Sequence, residues 1–203
     1  MISKIDALVI IDPERDFVYP DGALFVKGFN LDPSVEDCIS NIVQLGDQPF
    51  GHVALTRDIH PPIHIEHTIL PTHCVLGTAG TYVINPIADT FMTFAGINAE
   101  ILTKGSEANV IAFSVAFSPL FDAHLFRMRL KGIKRVFLCG WAYDYCVGES
   151  AIAYKVQGFD PFVIVDATRS VGEFTSRQMD RKLDAYEVPI VLMSDFSKDS
   201  GIN

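Results

Sequence analysis

Short apolar runs, separated by stretches of helical periodicity, constrain this chain more than any other feature. They fall at residues 7–11, 52–56, 100–103, 136–139, 162–165 and 189–193. Runs this short and this apolar suit buried strands. Between them lie candidate helices. Asp32-Pro33 opens one, with Asp as N-cap, Pro at the first helical position, and an apolar stripe of Val35, Ile39, Ile42 and Val43. Others are expected over residues 119–130, from about 144 to 157, and about 176–186. Apolar strands alternating with amphipathic helices predict an α/β fold, a doubly wound, mostly parallel sheet with helices on both faces. A length of 203 residues, nearly half of them hydrophobic, suits a single domain spanning 1–203.

Charge narrows the partners. A net charge of −9 argues against nonspecific nucleic-acid binding, which needs clustered cations. No apolar run approaches the length of a membrane span. The opening run is short and soon reaches Asp12, so it reads as a strand and not a secretory leader, and a cytoplasmic location is expected. Cys38, Cys74, Cys139 and Cys146 form no CxxC pair, and no disulfide framework is expected. The apolar stretch 88–97 and the 15 phenylalanines allow a homo-oligomeric interface.

Ligands of such sheets bind outside the carboxyl ends of the strands. Asp12, Asp58 and Lys104 stand at the ends of the first three runs. Cys146 follows the fourth, where Gly140 breaks the strand and a helical pattern begins near Asp144. Unpaired N–H groups and the helix dipole at such a start favour a thiolate and supply oxyanion donors. Four of the six histidines lie between positions 60 and 73. Asp58 and His60 alternate on extended backbone and can face one side. A third imidazole completes a site with open positions for zinc, iron or manganese. His73 is favoured by its Pro71 neighbourhood, His64 stands as a fourth ligand or a supporting residue, and His67 reads as surface. His52, in a strand, and His124, in a helix, read as structural.

These segments resemble the isochorismatase-like cysteine hydrolases, and among them the nicotinamidase branch. The resemblance runs in order from about residue 5 to 172. It is carried by residues 7–12 with Asp16-Phe17 and 22–24; by 58–62 with His64; by 73–78; by Lys104-Gly105 with Phe113-Ser114 and Phe117; and by Cys139-Gly140 through 144–147. It implies an Asp–Lys–Cys triad at Asp12, Lys104 and Cys146. It implies one divalent metal, zinc first and iron or manganese as alternatives, on Asp58, His60 and His73, with His64 as a further candidate. It implies an oxyanion hole at the N–H groups of Ala142 and Cys146, with a cis peptide at Trp141–Ala142. The activity implied is hydrolysis of nicotinamide to nicotinate and ammonia through a cysteine thioester, in NAD salvage. The alternative is an amidohydrolase of the same fold acting on another small carboxamide. Phe17, Phe113, Leu70 and Tyr143 are the expected substrate contacts. Four positions depart from the pattern: Glu14 replaces a glutamine and adds negative charge, Leu70 replaces a tryptophan, Tyr143 replaces a small residue, and the 116–117 loop carries one extra residue.

Overall fold

The computed structural model describes residues 1–29, 32–94 and 99–197. In chain order its regular elements are β1 (Asp6–Ile11), α1 (Arg15–Val18), α2 (Val35–Leu45), β2 (His52–Asp58), α3 (Asn85–Thr93), β3 (Ala99–Lys104), α4 (Phe121–Leu130), β4 (Arg135–Trp141), α5 (Gly148–Val156), β5 (Asp160–Arg169), α6 (Glu173–Ala185), β6 (Ile190–Val191) and α7 (Ser194–Ser197). The six strands form one sheet in the order β3-β2-β1-β4-β5-β6, and every neighbouring pair is parallel.

All six residues of β1 are buried, as the central strand of a two-sided sheet requires. Side chains alternate between faces. Ala7, Val9 and Ile11 join one core with Phe121, Leu125 and Met128 of α4, Ala151 of α5, and Met179 and Leu183 of α6. Leu8 and Ile10 join the other, with Cys38, Ile42 and Leu45 of α2 and Ile87 and Phe91 of α3. This is the doubly wound architecture expected from the alternation of runs.

The strand order places the functional region. From β1 the chain moves outward through β2 to β3, then crosses back to lay β4 on the other side of β1. At that reversal the loops leaving β1 and β4 diverge and open a crevice. Gly140 lets the two strands approach there. Its φ is +117°, and a Cβ on it would sit 2.2 Å from the Ile11 carbonyl oxygen.

Several boundaries differ from the sequence reading. The N-cap of α2 is Ser34, whose Oγ accepts the Asp37 N–H at 3.0 Å. Asp32 lies outside the helix because its carboxylate accepts the Ser170 N–H at 2.8 Å instead. The helix expected after β4 begins as a π-turn over Tyr143–Val147 before α5 takes over. β5 extends well beyond the expected residues 162–165, and α3 has no counterpart among the helices expected from sequence. Of the stretch 88–97, residues 88–93 lie in α3, and 95–97 lie outside the described residues. Among the described residues no helix is long and apolar enough to cross a membrane.

Candidate active site

Four strands deliver four side chains to the crevice. Lys104, the last residue of β3, is fully buried. Its Nζ lies 2.9 Å from Asp12 Oδ2, 3.0 Å from Asp58 Oδ1 and 3.6 Å from Cys146 Sγ. Burial works against its charge, but Asp12 and Asp58 outweigh burial and hold its pKa well above the usual lysine value. The lysine is therefore a fixed ammonium and not a solvated loop residue. Burial likewise works against the charge of Asp58; Lys104, His60 and His73 overrule it and hold the carboxyl well below its usual range. Asp12 is fixed from its other side: Thr56 Oγ1 donates to Asp12 Oδ1 at 2.5 Å and accepts the Asp12 N–H at 3.0 Å.

Cys146 departs from the thiolate expected at a helix start. Burial, the largest influence, pushes its thiol well above the usual value; Lys104 pulls the other way, and Asp12 and Asp58 add to the rise. The dipole of a nascent turn does not overcome desolvation beside two carboxylates. The resting site thus holds a neutral thiol with a carboxylate hydrogen-bond partner, Asp12. The backbone before Cys146 bends through a left-handed Ala142 at φ 60°, and the Ala142 carbonyl accepts the N–H groups of Tyr145 and Val147 on either side of Cys146. The described residues contain no cis peptide bond, which corrects the expectation at Trp141–Ala142; the turn is made by the φ of Ala142.

Beside Asp12, Lys104 and Cys146 lies a cluster of donors. Asp58 Oδ2 is 2.9 Å from His60 Nε2 and 3.5 Å from His73 Nε2, and Glu66 Oε2 is 3.7 Å from His60 Nε2. Each imidazole is anchored from behind. His60 Nδ1–H donates to the Gly105 carbonyl at 2.9 Å and His73 Nδ1–H to the Pro71 carbonyl at 2.7 Å. A carbonyl only accepts, so Nδ1 of each ring carries a proton and Nε2 is the nitrogen turned inward toward Asp58. His60 Nε2 is buried without a hydrogen bond although Asp58 is adjacent. Imidazole nitrogens and carboxylate oxygens converging on one point fit a divalent cation, which binds as it displaces the Nε2 protons. Gly105, at φ +77°, makes room: a Cβ there would lie 2.7 Å from both Asp58 Oδ1 and His60 Cε1.

Asp58, His60 and His73 therefore come together, and Glu66 joins them. His64 does not. Its Nδ1 accepts the Glu66 N–H at 3.3 Å, its Nε2–H donates to the Glu107 carbonyl at 3.0 Å, and its ring stacks on His60 at 4.1 Å. With both nitrogens in use it braces the cluster. Glu66 was missed because an acidic residue beside a loop histidine reads as surface. A 3₁₀ turn over Ile65–Thr68 rotates it inward, where its Oε1 accepts the Ala112 N–H at 2.6 Å. His67 is only half-buried, yet it lies within reach of His60 and His73. Asp16 holds the approach to His73: its Oδ2 accepts the Cys74 N–H at 2.8 Å and its Oδ1 the Ala23 N–H at 3.0 Å.

Cys146 and three of the donors, Asp58, Glu66 and His73, line one cleft. Phe17, Leu70 and Phe113 line it together with Asp58, Glu66, His73, Ala142 and Cys146. Tyr143 does not line it. Its side chain is buried, and its hydroxyl donates to Asp180 of α6. The aromatic ring in the wall belongs to Tyr145, which meets Phe113 edge-on at 5.1 Å. The π-turn sends Tyr143 toward α6 and Tyr145 toward the cleft. Val171 completes the wall, held by donation of its N–H to Asp144 Oδ1 at 2.8 Å.

Glu14 lies directly behind the site, fully buried, and its Oε1 accepts the Asp58 N–H at 2.8 Å. Burial first, then Asp12 and Asp58, push its carboxyl well above the usual value. Burial beside two carboxylates therefore favours its protonated form, the same shape as a glutamine, over the negative charge expected from sequence, with Arg57 Nε 4.0 Å away. An acid held protonated in the folded state but ionised in the unfolded chain costs stability as pH rises above the ordinary glutamate value, and that cost levels off above the folded pKa. Glu14→Gln is expected to keep activity and to raise the melting temperature at pH 8, with the gain vanishing near pH 4. Thermal melts at both pH values check this; an equal gain at the two would sink the protonated-acid account.

Known proteins align with this geometry. The isochorismatase domain model matches residues 6–191. The nicotinamidase of Saccharomyces cerevisiae is 26% identical, the match covering 91% of this chain and 98% of that protein. The structure of PnC1 from L. infantum in complex with nicotinate superposes with a TM-score of 0.81 at 28% identity, over 96% of each chain. The pyrazinamidase of Pyrococcus horikoshii in complex with zinc gives a TM-score of 0.73 at 26% identity, over 93% of this chain and 99% of that one. A domain match reaching from the first strand to the last, on a doubly wound sheet whose switch point gathers a cysteine, a lysine and two aspartates, makes this chain a member of the isochorismatase family.

Proposed function

We propose that this protein is a metal-dependent nicotinamidase, hydrolysing nicotinamide to nicotinate and ammonia through a thioester on Cys146. The observation that carries the proposal is the buried contact of Asp12, Lys104 and Cys146 directly beside the Asp58, His60, Glu66 and His73 donors, with Cys146, Asp58, Glu66 and His73 open to one cleft. Relatives named for nicotinamide hydrolysis, and neighbours bound to nicotinate or zinc, support it.

Asp12 takes the proton of the neutral Cys146 thiol as sulfur attacks the carboxamide carbon. Lys104, fixed between Asp12 and the sulfur, stabilises the thiolate that forms. The N–H groups of Ala142 and Cys146 receive the oxyanion; loss of one such donor typically costs about 3–4 kcal/mol. Asp12 returns its proton to the leaving nitrogen, and ammonia departs. It then takes a proton from the water that attacks the thioester, and returns it to sulfur as nicotinate is released. Asp58, His60, Glu66 and His73 hold the divalent ion, zinc being best suited to this nitrogen–oxygen set. When bound, that ion supplies a Lewis-acidic anchor for the substrate's ring nitrogen. Phe17, Phe113 and Tyr145 confine an aromatic ring between them.

Leu70 favours a second reading, another small carboxamide, because it supplies an aliphatic wall where an aromatic one could stack. Ammonia release from a panel of aromatic and aliphatic amides separates the two. Fast release from nicotinamide, lost on chelation and restored by zinc, is expected. Asp58→Ala is expected to lose metal and turnover together. Full activity in metal-free protein would refute the metal dependence, and preference for an aliphatic amide would transfer the assignment to the second reading.

A further inference from the structure

A second nitrogen–oxygen cluster lies at the opposite end of β2. His52 opens that strand and Asp58 closes it, which puts the two about 20 Å apart at roughly 3.3 Å per residue. His52 meets Glu100 of β3 and His124 of α4. His52 Nε2 is 2.8 Å from Glu100 Oε1, and His124 Nδ1 is 3.0 Å from the same oxygen. Both histidines are buried, while Glu100 is partly exposed and opens the cluster to solvent.

The carboxylate of this cluster is held as Asp58 is held in the active site. There Lys104 binds one oxygen of Asp58 and leaves the other facing two imidazoles. Here Arg127 binds Glu100 Oε2, with its Nε at 2.9 Å, and leaves Oε1 facing two imidazoles. The outer ring nitrogens are braced in both places. His124 Nε2 is 2.8 Å from the Tyr154 hydroxyl, and His52 Nδ1 is 3.1 Å from Lys131 Nζ. Like His60 Nε2, His52 Nε2 is buried without a hydrogen bond of good geometry despite the adjacent carboxylate oxygen.

We propose that His52, Glu100 and His124 form a second divalent transition-metal site, which ties the edge strand β3 to β2 and α4 and takes no part in the chemistry. Two imidazoles and one carboxylate suit zinc, with a water in the open position. Without the ion, protons hold the cluster together. The Lys131 ammonium can only donate, so His52 accepts at Nδ1 and carries its proton on Nε2. Metal entry moves that proton to Nδ1 and turns Lys131 outward. At His124 the proton moves from Nδ1 to Nε2, which then donates to the Tyr154 oxygen. Each proton only changes its nitrogen, so the proton count is unchanged.

The test is metal stoichiometry. Full-length protein is stripped, reloaded with excess Zn²⁺, desalted and measured by plasma mass spectrometry. Two zinc ions per chain are expected in the wild type and one in His124→Gln, with amide hydrolysis unchanged in that variant. Asp58→Asn is expected to keep one ion, and the double variant none. Glu100→Gln, which preserves shape, substitutes if His124→Gln does not fold. A single zinc in the wild type, or a stoichiometry indifferent to His124→Gln and Glu100→Gln, overturns the proposal. Because Asp58→Asn reports the active-site ion separately, a failure here is distinct from a failure of the nicotinamidase reading.

Discussion

Cys146→Ala is expected to lower ammonia release from nicotinamide by about 10⁴-fold or more, with substrate binding and folding preserved. Removing a nucleophile that acts as one unit with its base typically costs this much, because the partners alone cannot form the covalent intermediate. The structure gives a reason for expecting so clean a split. Phe17, Leu70, Phe113 and Tyr145, which line the cleft, and the donors Asp58, Glu66 and His73 do not depend on the sulfur for their placement. Alanine also fits the turn, since the π-turn is held by backbone bonds from the Ala142 carbonyl. Steady-state turnover and nicotinate titration by calorimetry check the two halves. Turnover within tenfold of wild type would rule out the thioester and leave direct attack by water.

Much of this site was legible in the sequence because strand ends are legible. Asp12, Asp58 and Lys104 each follow an apolar run, and parallel topology brings the ends of such runs to one rim. The alternation of Asp58 and His60 also carried over directly, since extended backbone repeats its direction every second residue. What stayed hidden depended on turns. Glu66 faces inward through a 3₁₀ turn, and Tyr145 replaces Tyr143 in the cleft wall through a π-turn; neither geometry has a periodic signature. Charge states were hidden for a different reason. The neutral Cys146 thiol and the neutral Glu14 acid follow from burial beside Asp12 and Asp58, a property of the assembled site and not of either residue's neighbours in sequence.

The same electrostatics set the second large effect. Lys104→Met is expected to remove activity by at least about 10³-fold and also to destabilise the fold, by about 3–5 kcal/mol in metal-free protein, the cost of breaking a buried ion pair from one side. Methionine fills the same space, so packing is not the cause. Removing the ammonium leaves Asp12 and Asp58 facing one another across a dry site, with Cys146 beside both. Two such carboxylates cannot both stay ionised, so a proton is retained between them and the base that Cys146 requires is lost. A bound divalent ion on Asp58 relieves part of this repulsion, so zinc is expected to recover stability in Lys104→Met without recovering turnover. Denaturant melts with and without zinc, beside turnover assays, separate the two effects. If the variant is as stable as wild type without metal, the ammonium does not hold the carboxylates together; if zinc restores turnover, Lys104 serves the metal site and not the thiol.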